Sequence, residues 1–290
     1  MSSVPFEKRE GLIWLDGQMV SWSDANVHIL THGLHYASSV FEGVRAYNGK
    51  IFKLEDHTTR LFKSADILAM KPEFNEAQVN KACLDVMVKN NLSNAYLRPL
   101  MWRGAEQMGL AGMATRTHTM VAAWDWGPAF SDELIEKGIV MKTGPWRRPP
   151  PECAPVHAKA AGLYMICTLS KRKAEEEGYN DCLFLDWRGQ VTEATAANIF
   201  LVINGDIHTP TPDCFLNGIT RLTAIDLARE AGYKVIERAI WPEDLAKAQE
   251  VFLTGTAYEI VPVSKIDNYD FTPGAVTGTL RQKYNLLVGK

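Results

Sequence analysis

The sequence predicts an α/β (α+β) protein of two domains, with the active site in the cleft between them. Strand-like and helix-like hydrophobic patterns alternate through both halves of the chain, which is typical of α/β folds. Its 290 residues are also close to the length at which one hydrophobic core divides in two. Gly127-Pro128 interrupts the pattern before a new strand begins. We therefore expect a smaller domain in residues 1–127, an interdomain loop in residues 128–137 and a larger domain in residues 138–290.

Local signals predict the elements of the first half. Asn48-Gly49 lies between two apolar runs and is the strongest short signal for a hairpin, because both turn residues adopt a positive φ. Leu61, Ala65 and Leu68 recur at helical spacing after Asp56, which predicts a helix there. The other predicted elements are a helix over Glu76–Lys89 and strands over residues 40–47, 50–54, 95–102 and 118–124.

The second half follows the same alternation. Pro149-Pro150-Pro151 predicts a loop, because proline lacks the N–H donor and restricts the residue before it. Gly232 is expected to end the helix that begins at Ile219, since glycine is the usual residue after a helix C-terminus. The remaining prediction is a helix over residues 162–177, strands over residues 138–141, 182–185, 198–203, 207–209, 234–240 and 251–254, and a weaker helix that closes the chain.

Composition excludes several classes of partner. The formal net charge is −3, and no long block of one sign occurs, which argues against nucleic acids and anionic membranes. No apolar run approaches the roughly 20 residues that span a membrane, and no secretory signal is visible. The five cysteines are scattered and form no CxxC pair. A disulfide framework or a structural zinc site is therefore not expected, and the default location is the cytoplasm.

The three histidines His28, His32 and His35 have spacings that a metal site on a helix could use. Gly33 interrupts the segment, however, and no carboxylate ligands are nearby in the sequence. We therefore interpret these side chains as packed or hydrogen-bonded histidines and expect no metal.

Lys159 is the most informative residue of the chain. It lies among small residues, in Ala158-Lys159-Ala160-Ala161-Gly162, just before a predicted helix. Most lysines are solvated surface charges, but an uncrowded amine in a partly apolar site can lose its proton. That property is required of a lysine that forms a Schiff base and then shuttles a proton.

Three further segments could bind a phosphate group. Asn217-Gly218-Ile219-Thr220 opens a predicted helix, and the free N–H groups of a helix N-terminus favour an anion. Thr256 offers a hydroxyl near a chain reversal, and Arg60 could make a bidentate contact. Each feature alone has a simpler interpretation: an ordinary N-cap, a turn and a surface arginine.

Two side chains could contact the ring of pyridoxal phosphate. Glu193 lies beside small residues rather than lysines, and its carboxylate could keep a pyridinium nitrogen protonated. Tyr164 could bond the phenolic oxygen. The alternatives are a solvent-facing glutamate in a loop and a core tyrosine on the following helix.

Several segments resemble the branched-chain amino acid aminotransferases, a family of class IV, fold-type IV pyridoxal-phosphate enzymes. The resemblance extends over about residues 13–263. Its most specific segments are His32-Gly33-Leu34-His35-Tyr36, Ser39-Val40-Phe41-Glu42-Gly43, Tyr96-Leu97-Arg98-Pro99, Glu193-Ala194, residues 212–221 and Leu253-Thr254-Gly255-Thr256-Ala257.

The resemblance implies a ping-pong exchange of the amino group between L-leucine, L-isoleucine or L-valine and 2-oxoglutarate, in an oligomer of at least two chains. Lys159 resembles the lysine that binds the cofactor, on the larger domain. The residues implied in cofactor binding are Arg60, Lys159, Tyr164, Glu193, Asn198, Gly218, Ile219, Thr220 and Thr256. Those implied in substrate binding are Phe41, Gly43, Tyr96, Arg98, Thr256 and Ala257, with Tyr36 and Leu110 from a neighbouring subunit.

Within this set, Tyr96 and the backbone of Thr256 and Ala257 resemble the groups that bind the substrate α-carboxylate. Arg98 resembles the group that binds the distal carboxylate of glutamate, beside an otherwise apolar pocket. An arginine at the rim suits a site that accepts leucine and glutamate in turn, because a buried carboxylate requires a cation or strong donors.

The chain departs from the family pattern after Trp126-Gly127, where a tyrosine is expected and Pro128-Ala129-Phe130 stands instead. Phe130 can occupy the space without supplying a hydroxyl. Other enzymes of this scaffold, namely D-amino acid transaminases, (R)-amine transaminases and aminodeoxychorismate lyases, are the alternatives. A non-catalytic scaffold would be expected to lose Lys159 or Glu193, and both are present.

Overall fold

The computed structural model describes residues 4–290, which divide into two compact units. The first unit comprises the described residues up to Gly127 together with Ala158–Leu163. The second comprises Pro128–His157 and Tyr164–Lys290. Each unit contains a sheet and packed helices, as the alternating sequence pattern predicts.

The first unit is built on a seven-stranded antiparallel sheet, in the strand order β2-β1-β7-β6-β4-β5, with β3 paired to the end of β6. Its elements are β1 (Leu12–Leu15), β2 (Gln18–Ser21), α1 (His32–Tyr36), β3 (Ser39–Phe41), β4 (Val44–Tyr47), β5 (Lys50–Ile51), α2 (Leu54–Ile67), α3 (Glu76–Lys89), β6 (Ala95–Arg103) and β7 (Thr117–Asp125), with 3₁₀ turns at Phe6–Lys8 and Trp22–Asp24.

Helices α2 and α3 bury one apolar face each in the core of this unit. Leu61 and Ala65 of α2 and Val79 and Val86 of α3 are fully buried, at the i, i+4 and i, i+7 spacings of one helix face. Asn75 caps α3, because its side chain accepts the N–H of Gln78 while Gln78 bonds back to Asn75.

The second unit is built on a nine-stranded mixed sheet, in the order β10-β9-β8-β15-β14-β11-β12-β13, with β16 paired to β15. Its elements are α4 (Asp132–Lys137), β8 (Ile139–Arg148), α5 (Met165–Glu176), β9 (Asp181–Asp186), β10 (Val191–Ala194), β11 (Asn198–Ile203), β12 (Asp206–Pro210), α6 (Ile219–Glu230), β13 (Val235–Arg238), β14 (Glu250–Gly255), β15 (Glu259–Ile266), β16 (Tyr269–Asp270) and α7 (Ala275–Val288), with 3₁₀ turns at Ala161–Tyr164 and Pro242–Lys247.

The central strands of this sheet are buried on both faces. Every residue of β9, β10 and β11 is buried, and the apolar runs at residues 182–185 and 199–203 suit strands that are covered on both faces. Strand β8 runs parallel to both β9 and β15. The sheet therefore holds the ends of β8, β10 and β11 in fixed register, and Arg148, Glu193 and Asn198 lie at or near those ends.

The strongest local signals are confirmed. Asn48 and Gly49 both have a positive φ and join β4 to β5, as the hairpin prediction requires. Helix α6 ends at Glu230, and Gly232 has φ +86°. The predicted strand over residues 40–47 is instead two short strands, because residues 42 and 43 leave the ladder.

The structure corrects the expected domain division in two places. Residues 132–137 of the expected interdomain loop form α4, capped by the Ser131 side chain. Lys159 was expected in the larger domain, but Ala158–Leu163 pack with the first unit. The cause is local pairing: Val40 and Ala160 form a β-bridge, and the Phe41 N–H donates to the Lys159 carbonyl over 3.1 Å.

Candidate active site

The Lys159 backbone is fixed from two sides within the first unit. Its N–H donates to Ser64 Oγ on α2 over 2.9 Å, and its carbonyl accepts from Phe41 on β3. The flanking residues Ala158 and Ala160 are buried. The Lys159 Nζ lies 5.2 Å from the centroid of the Phe41 ring, so the amine is held against an aromatic face.

A buried ion cluster lies beside this lysine, and sequence reasoning missed it. Glu42 is completely buried, and its two oxygens accept from Arg60 Nε and Nη2 at 2.7 and 2.8 Å. His57 Nδ1 lies 2.7 Å from Glu42 Oε2. Burial alone would raise the pKa of Glu42, but Arg60 and His57 lower it well below its ordinary value of 4.5.

The protonation state of His57 follows from the same contacts. Burial lowers the pKa of His57, and the attraction of Glu42 offsets this only in part. Because an ionised carboxylate only accepts hydrogen bonds, the Nδ1 of neutral His57 carries the proton. Glu42 thus orients the Arg60 guanidinium through a bidentate pair. The position of Arg60 in the sequence does not reveal this partner.

Replacing Glu42 with glutamine is expected to lower the free energy of unfolding by about 3–5 kcal/mol, because a buried charge partner is removed. The wild-type contribution is present above the ordinary pKa of 4.5 and is lost as the pH falls toward the lowered folded-state value. Urea denaturation between pH 7 and pH 3 should therefore show a flatter pH dependence in the variant. Glu55→Gln, an exposed change on α2, is the control. Equal unfolding free energies for Glu42→Gln and wild type would contradict this prediction.

The predicted substrate residues of the first unit form one group around Phe41. The Arg98 guanidinium lies 4.8 Å from the centroid of the Phe41 ring and 5.6 Å from that of Tyr96. Arg98 Nε is buried and has no hydrogen-bond partner within residues 4–290. A Cβ at Gly43 would lie 1.8 Å from the Tyr96 hydroxyl. Glycine is therefore required at position 43 to leave space for that ring.

Two predicted pocket residues lie at the surface instead. Tyr36 is 43% and Leu110 is 76% exposed. The Tyr36 hydroxyl donates to the Met108 carbonyl over 3.5 Å, so α1 contacts the loop that carries Leu110. The sequence interpretation assigned both residues to the pocket of a neighbouring subunit.

Glu193 lies on a buried strand rather than in a solvent-facing loop. It belongs to β10, is 7% exposed and pairs in register with Asn198 of β11. Its Oε1 lies 2.8 Å from Arg148 Nη2, at the end of β8. Arg148 is also buried and lies 3.2 Å from Cys167 Sγ. Sequence reasoning missed Arg148, which follows an exposed tryptophan and arginine and precedes three prolines.

The Arg148–Glu193 pair favours an ionised carboxylate. Burial lowers the pKa of Arg148, but the attraction of Glu193, together with the contributions of Cys167 and Tyr164, raises the net value. Because both partners are buried, the pair is screened less than a surface pair. Arg148 therefore presents a positive charge to the Glu193 carboxylate at the end of β10.

The start of α6 is arranged as an anion-binding terminus. Gly218 is the N-cap residue and no side chain of the described chain caps the helix. A Cβ at Gly218 would lie 2.2 Å from Asn198 Oδ1, and Asn198 Nδ2 donates to the Leu216 carbonyl over 3.0 Å. Ile219 and Thr220 are buried directly after it. The close approach of Asn198 fixes the loop and leaves the helix N–H groups for an anion.

Arg221 supports this helix start from inside the unit, and it was not predicted. The side chain is completely buried and donates to Asn217 Oδ1, the Pro210 carbonyl and Glu237 Oε2 at 2.8–3.0 Å. Thr256 and Ala257 follow β14. A Cβ at Gly255 would lie 2.9 Å from the Ala196 carbonyl, so this turn lies close to the β10–β11 connection.

The remaining predicted cofactor residue, Tyr164, precedes α5, and its carbonyl accepts from Thr168. After Trp126-Gly127, where the resemblance led us to expect a tyrosine, Phe130 packs edge-on against Tyr258, with ring centroids 5.0 Å apart. The Tyr258 hydroxyl donates to Asp181 Oδ2 over 2.8 Å. Burial and then the Asp181 charge raise the pKa of Tyr258 well above 10.0, so this hydroxyl stays protonated and engaged.

The histidine segment makes backbone contacts. His32 Nε2 and His35 Nε2 lie 3.2 and 3.0 Å from the carbonyls of Gly109 and Ile29, and His28 Nδ1 accepts from Leu30 N–H. Across residues 4–290 no group of three or more His, Cys, Asp or Glu side chains could hold a metal ion. In the same part of the chain, no helix combines the length and apolarity that crossing a membrane requires.

Comparison with known proteins places this arrangement in context. Residues 39–266 match the family described as amino-transferase class IV. The branched-chain-amino-acid aminotransferase of Pseudomonas aeruginosa is 39% identical over 97% of this chain and 94% of its own length. The T.th. branched-chain amino acid aminotransferase with pyridoxamine 5′-phosphate superposes with a TM-score of 0.94 at 37% identity, covering 97% of this chain and 94% of that one.

A second structure of the T.th. enzyme is complexed with N-(5′-phosphopyridoxyl)-L-glutamate. It has a TM-score of 0.92 at 36% identity, with 97% of this chain and 94% of that chain covered. The fold predicted from the sequence is confirmed by these similarities.

Proposed function

The chain belongs to the class IV aminotransferase family, and from that premise we propose that it transfers amino groups between L-leucine, L-isoleucine or L-valine and 2-oxoglutarate. The observation that carries the proposal is the position of Arg98. Its guanidinium lies on the Phe41 ring, and its buried Nε has no partner among residues 4–290. An apolar surface with one available cationic donor suits both an aliphatic side chain and a distal carboxylate.

We propose pyridoxal phosphate as the cofactor, and the residues present fit it. The start of α6, with Gly218, Ile219 and Thr220, would bind the phosphate together with Thr256, because its N–H groups are left uncapped. Arg60 would add a cation that Glu42 holds in orientation. When bound, this cofactor supplies an electron-withdrawing ring that stabilises carbanion character at the substrate Cα.

The ring contacts would come from Glu193 and Tyr164. Glu193 pairs with Arg148 at the end of β10, and a carboxylate there would raise the pKa of a ring nitrogen, so that the nitrogen would stay protonated. Tyr164 would hydrogen-bond the phenolic oxygen. Asn198 would act indirectly, because it fixes the loop before α6.

Lys159 would bind the cofactor covalently and then act as the general base. Its backbone is fixed by Ser64 and Phe41, so the Nζ reaches a constant position. The Nζ would also be the base that takes the proton from the substrate Cα. The same residue serves both half-reactions, as a ping-pong exchange requires.

The substrate would be oriented by its α-carboxylate. The Tyr96 hydroxyl and the backbone of Thr256 and Ala257 would bind that group. Phe41 and the space left by Gly43 would accept a branched side chain. The T.th. enzyme complexed with N-(5′-phosphopyridoxyl)-L-glutamate supports a dicarboxylate as the second substrate, for which Arg98 would supply the cation.

Replacing Arg98 with alanine is expected to separate the two substrates. The KM for L-glutamate and 2-oxoglutarate should rise roughly 30-fold or more, because the distal carboxylate loses its charged partner. The KM for L-leucine should change less than about threefold. Steady-state kinetics of both half-reactions measure this split, with the exposed Arg229→Ala of α6 as the control. An equal rise for leucine and glutamate would reject the assignment of Arg98.

The substrate class is tested by comparing two amino donor and acceptor pairs. L-glutamate with 2-oxoisocaproate is expected to react far faster than D-alanine with pyruvate or (R)-1-phenylethylamine with pyruvate. A preference for the D-amino acid or the (R)-amine would favour the other enzymes of this scaffold. A protein that binds no pyridoxal phosphate would favour a non-catalytic scaffold.

We also propose that the enzyme is at least a homodimer and cytoplasmic. Leu34 and Met113 are 62% and 86% exposed, like Leu110, and a cavity of about 230 Å³ near Leu34 is lined mainly by apolar side chains. Such a surface is typical of a contact between chains. The five cysteines are free, which fits a reducing compartment. Light scattering on the purified holoenzyme should give at least twice the mass of one chain, and a monomer would contradict the proposal.

A further inference from the structure

The loop between β6 and β7, residues 104–116, carries Leu110, and His118 joins it to the sheet. His118 of β7 has its Nδ1 2.6 Å from Asp16 Oδ2 and its Nε2 3.0 Å from Glu106 Oε1. Its ring stacks on Trp102, with centroids 5.3 Å apart and planes 19° apart. Glu106 belongs to the loop, whereas Asp16 lies in the turn between β1 and β2. The histidine therefore joins the loop to the sheet.

The backbone of Gly104 packs closely against this contact. A Cβ at Gly104 would lie 2.4 Å from His118 Nε2 and 2.5 Å from Glu106 Oε2. Asp16 is held independently of the histidine, because its Oδ1 accepts the Thr119 N–H over 2.8 Å. The other contacts of the Glu106 carboxylate are the Arg116 N–H at 3.1 Å and its own backbone N–H, and both belong to the same loop. Loss of the His118 contact would therefore release Glu106 rather than Asp16.

Only the protonated ring can satisfy both carboxylates. Neutral imidazole has one N–H, and ionised carboxylates only accept hydrogen bonds, so deprotonation places a lone pair against one of the two oxygens. The charged groups facing the ring are Asp16, Glu106, Arg116 and, through its pair with Arg116, Glu73. This group contains three carboxylates and only one guanidinium, that of Arg116. The excess negative charge favours the protonated form of His118.

Two other basic side chains bind the loop without facing the ring. Arg103 donates to the carbonyls of Leu68 and Ala69 and, over 3.4 Å, to that of Gly112. His32 contacts the Gly109 carbonyl. Burial lowers the pKa of His118, but the hydrogen bonds to Asp16 and Glu106 and the charges of these two carboxylates together raise the net value above 6.5. The contacts of His118 with both carboxylates are therefore fully present below pH 6.5. They are lost as the pH rises through the raised pKa of His118.

We propose that His118 is a positioning residue whose imidazolium, bridging Asp16 and Glu106, holds loop 104–116 and thereby places Leu110. This rests on the proposed function, in which Leu110 lines the apolar substrate pocket of a neighbouring subunit. Loss of the proton loosens the loop, so the KM for aliphatic amino acids rises with pH, while kcat changes less because the loop does not touch the reacting atoms.

Glu106→Gln gives the sharpest test. A glutamine amide can accept from a ring N–H or donate to a ring lone pair, so it satisfies His118 in either protonation state. The wild-type holoenzyme should therefore show a KM for L-leucine that rises roughly three- to tenfold across the His118 titration, whereas Glu106→Gln should keep a low and flat KM. His118→Gln should have the raised KM at every pH. His208→Gln, on β12 of the other unit, is the control.

Amide hydrogen exchange of residues 105–115 supplies a readout that needs no catalysis. The ratio of wild-type to Glu106→Gln exchange rates should rise with pH, and comparison at equal pH removes the intrinsic pH dependence of exchange. A ratio that stays constant would overturn the proposal. If the ratio of exchange rates rises with pH but the wild-type KM stays constant, then His118 holds loop 104–116 as proposed. That result would instead reject the proposed role of Leu110 in the substrate pocket.

Discussion

Replacing Lys159 with alanine is expected to reduce the transamination rate by about 10⁴-fold or more, because one side chain provides both the covalent attachment and the proton transfer. The fold should be preserved. The contacts that fix this position, Ser64 Oγ to the Lys159 N–H and the Phe41 N–H to the Lys159 carbonyl, involve only the backbone of residue 159. Noncovalent cofactor binding through α6 and Arg60 should also persist.

Single-turnover kinetics with L-leucine measure this loss, and Lys63→Ala, an exposed change on α2, is the matched control. Borohydride reduction of the wild-type holoenzyme followed by peptide mapping should place the cofactor on Lys159. Two results would reject the proposed mechanism: a label on another lysine, or a Lys159→Ala rate within tenfold of wild type.

Replacing Glu193 with glutamine is expected to lower kcat roughly 10²–10³-fold with a small change in KM, since a pre-placed charge that acts on the transition state is removed. Glutamine keeps the size of the side chain but no longer holds a ring nitrogen protonated. The substitution also leaves Arg148 buried without its anionic partner, so some stability should be lost as well.

The two effects of Glu193→Gln can be separated by measuring cofactor content and unfolding alongside the kinetics. Glu230→Gln, an exposed change at the end of α6, controls for loss of one charge. If the variant with full cofactor content keeps the wild-type kcat, then Glu193 serves only the Arg148 pair, and the proposed ring contact is wrong.

The parts of the fold that local chemistry determines were predictable. Asn48-Gly49 forms its hairpin because the two residues accept a positive φ at low cost, and α6 begins and ends where its flanking glycines indicate. The hairpin of β1 and β2 carries a similar signal in Asp16-Gly17, both with a positive φ, but sequence reasoning passed over it.

Other features depend on tertiary partners that no local pattern reveals. Glu193 looked like a loop residue because Val191-Thr192-Glu193-Ala194 has no clear alternation, yet β10 is buried between β9 and β11. Glu42 and Arg148 are charged residues whose burial depends on partners 18 and 45 positions away, Arg60 and Glu193. The sequence contained one signal for the Glu42–Arg60 pair: Glu42 is an acidic residue that directly follows the apolar residues Val40 and Phe41.

The membership of Lys159 in the first unit has the same origin. Its segment lies after the predicted boundary in the sequence, but the pairing of Ala160 with Val40 joins it to β3. A bridge between residues 120 positions apart follows from the packing of the unit and cannot be inferred from composition or spacing.

The contact between positions 43 and 96 limits how this pocket can be redesigned. Even without the Tyr96 hydroxyl, the ring carbon that carries it would lie 2.6 Å from a methyl group at residue 43, so a phenylalanine at position 96 would not make room for alanine. Bulk can be added at one position only if the aromatic ring at the other is displaced or shortened. The two sites are therefore epistatic, and libraries that vary them singly will miss the combinations that alter substrate size.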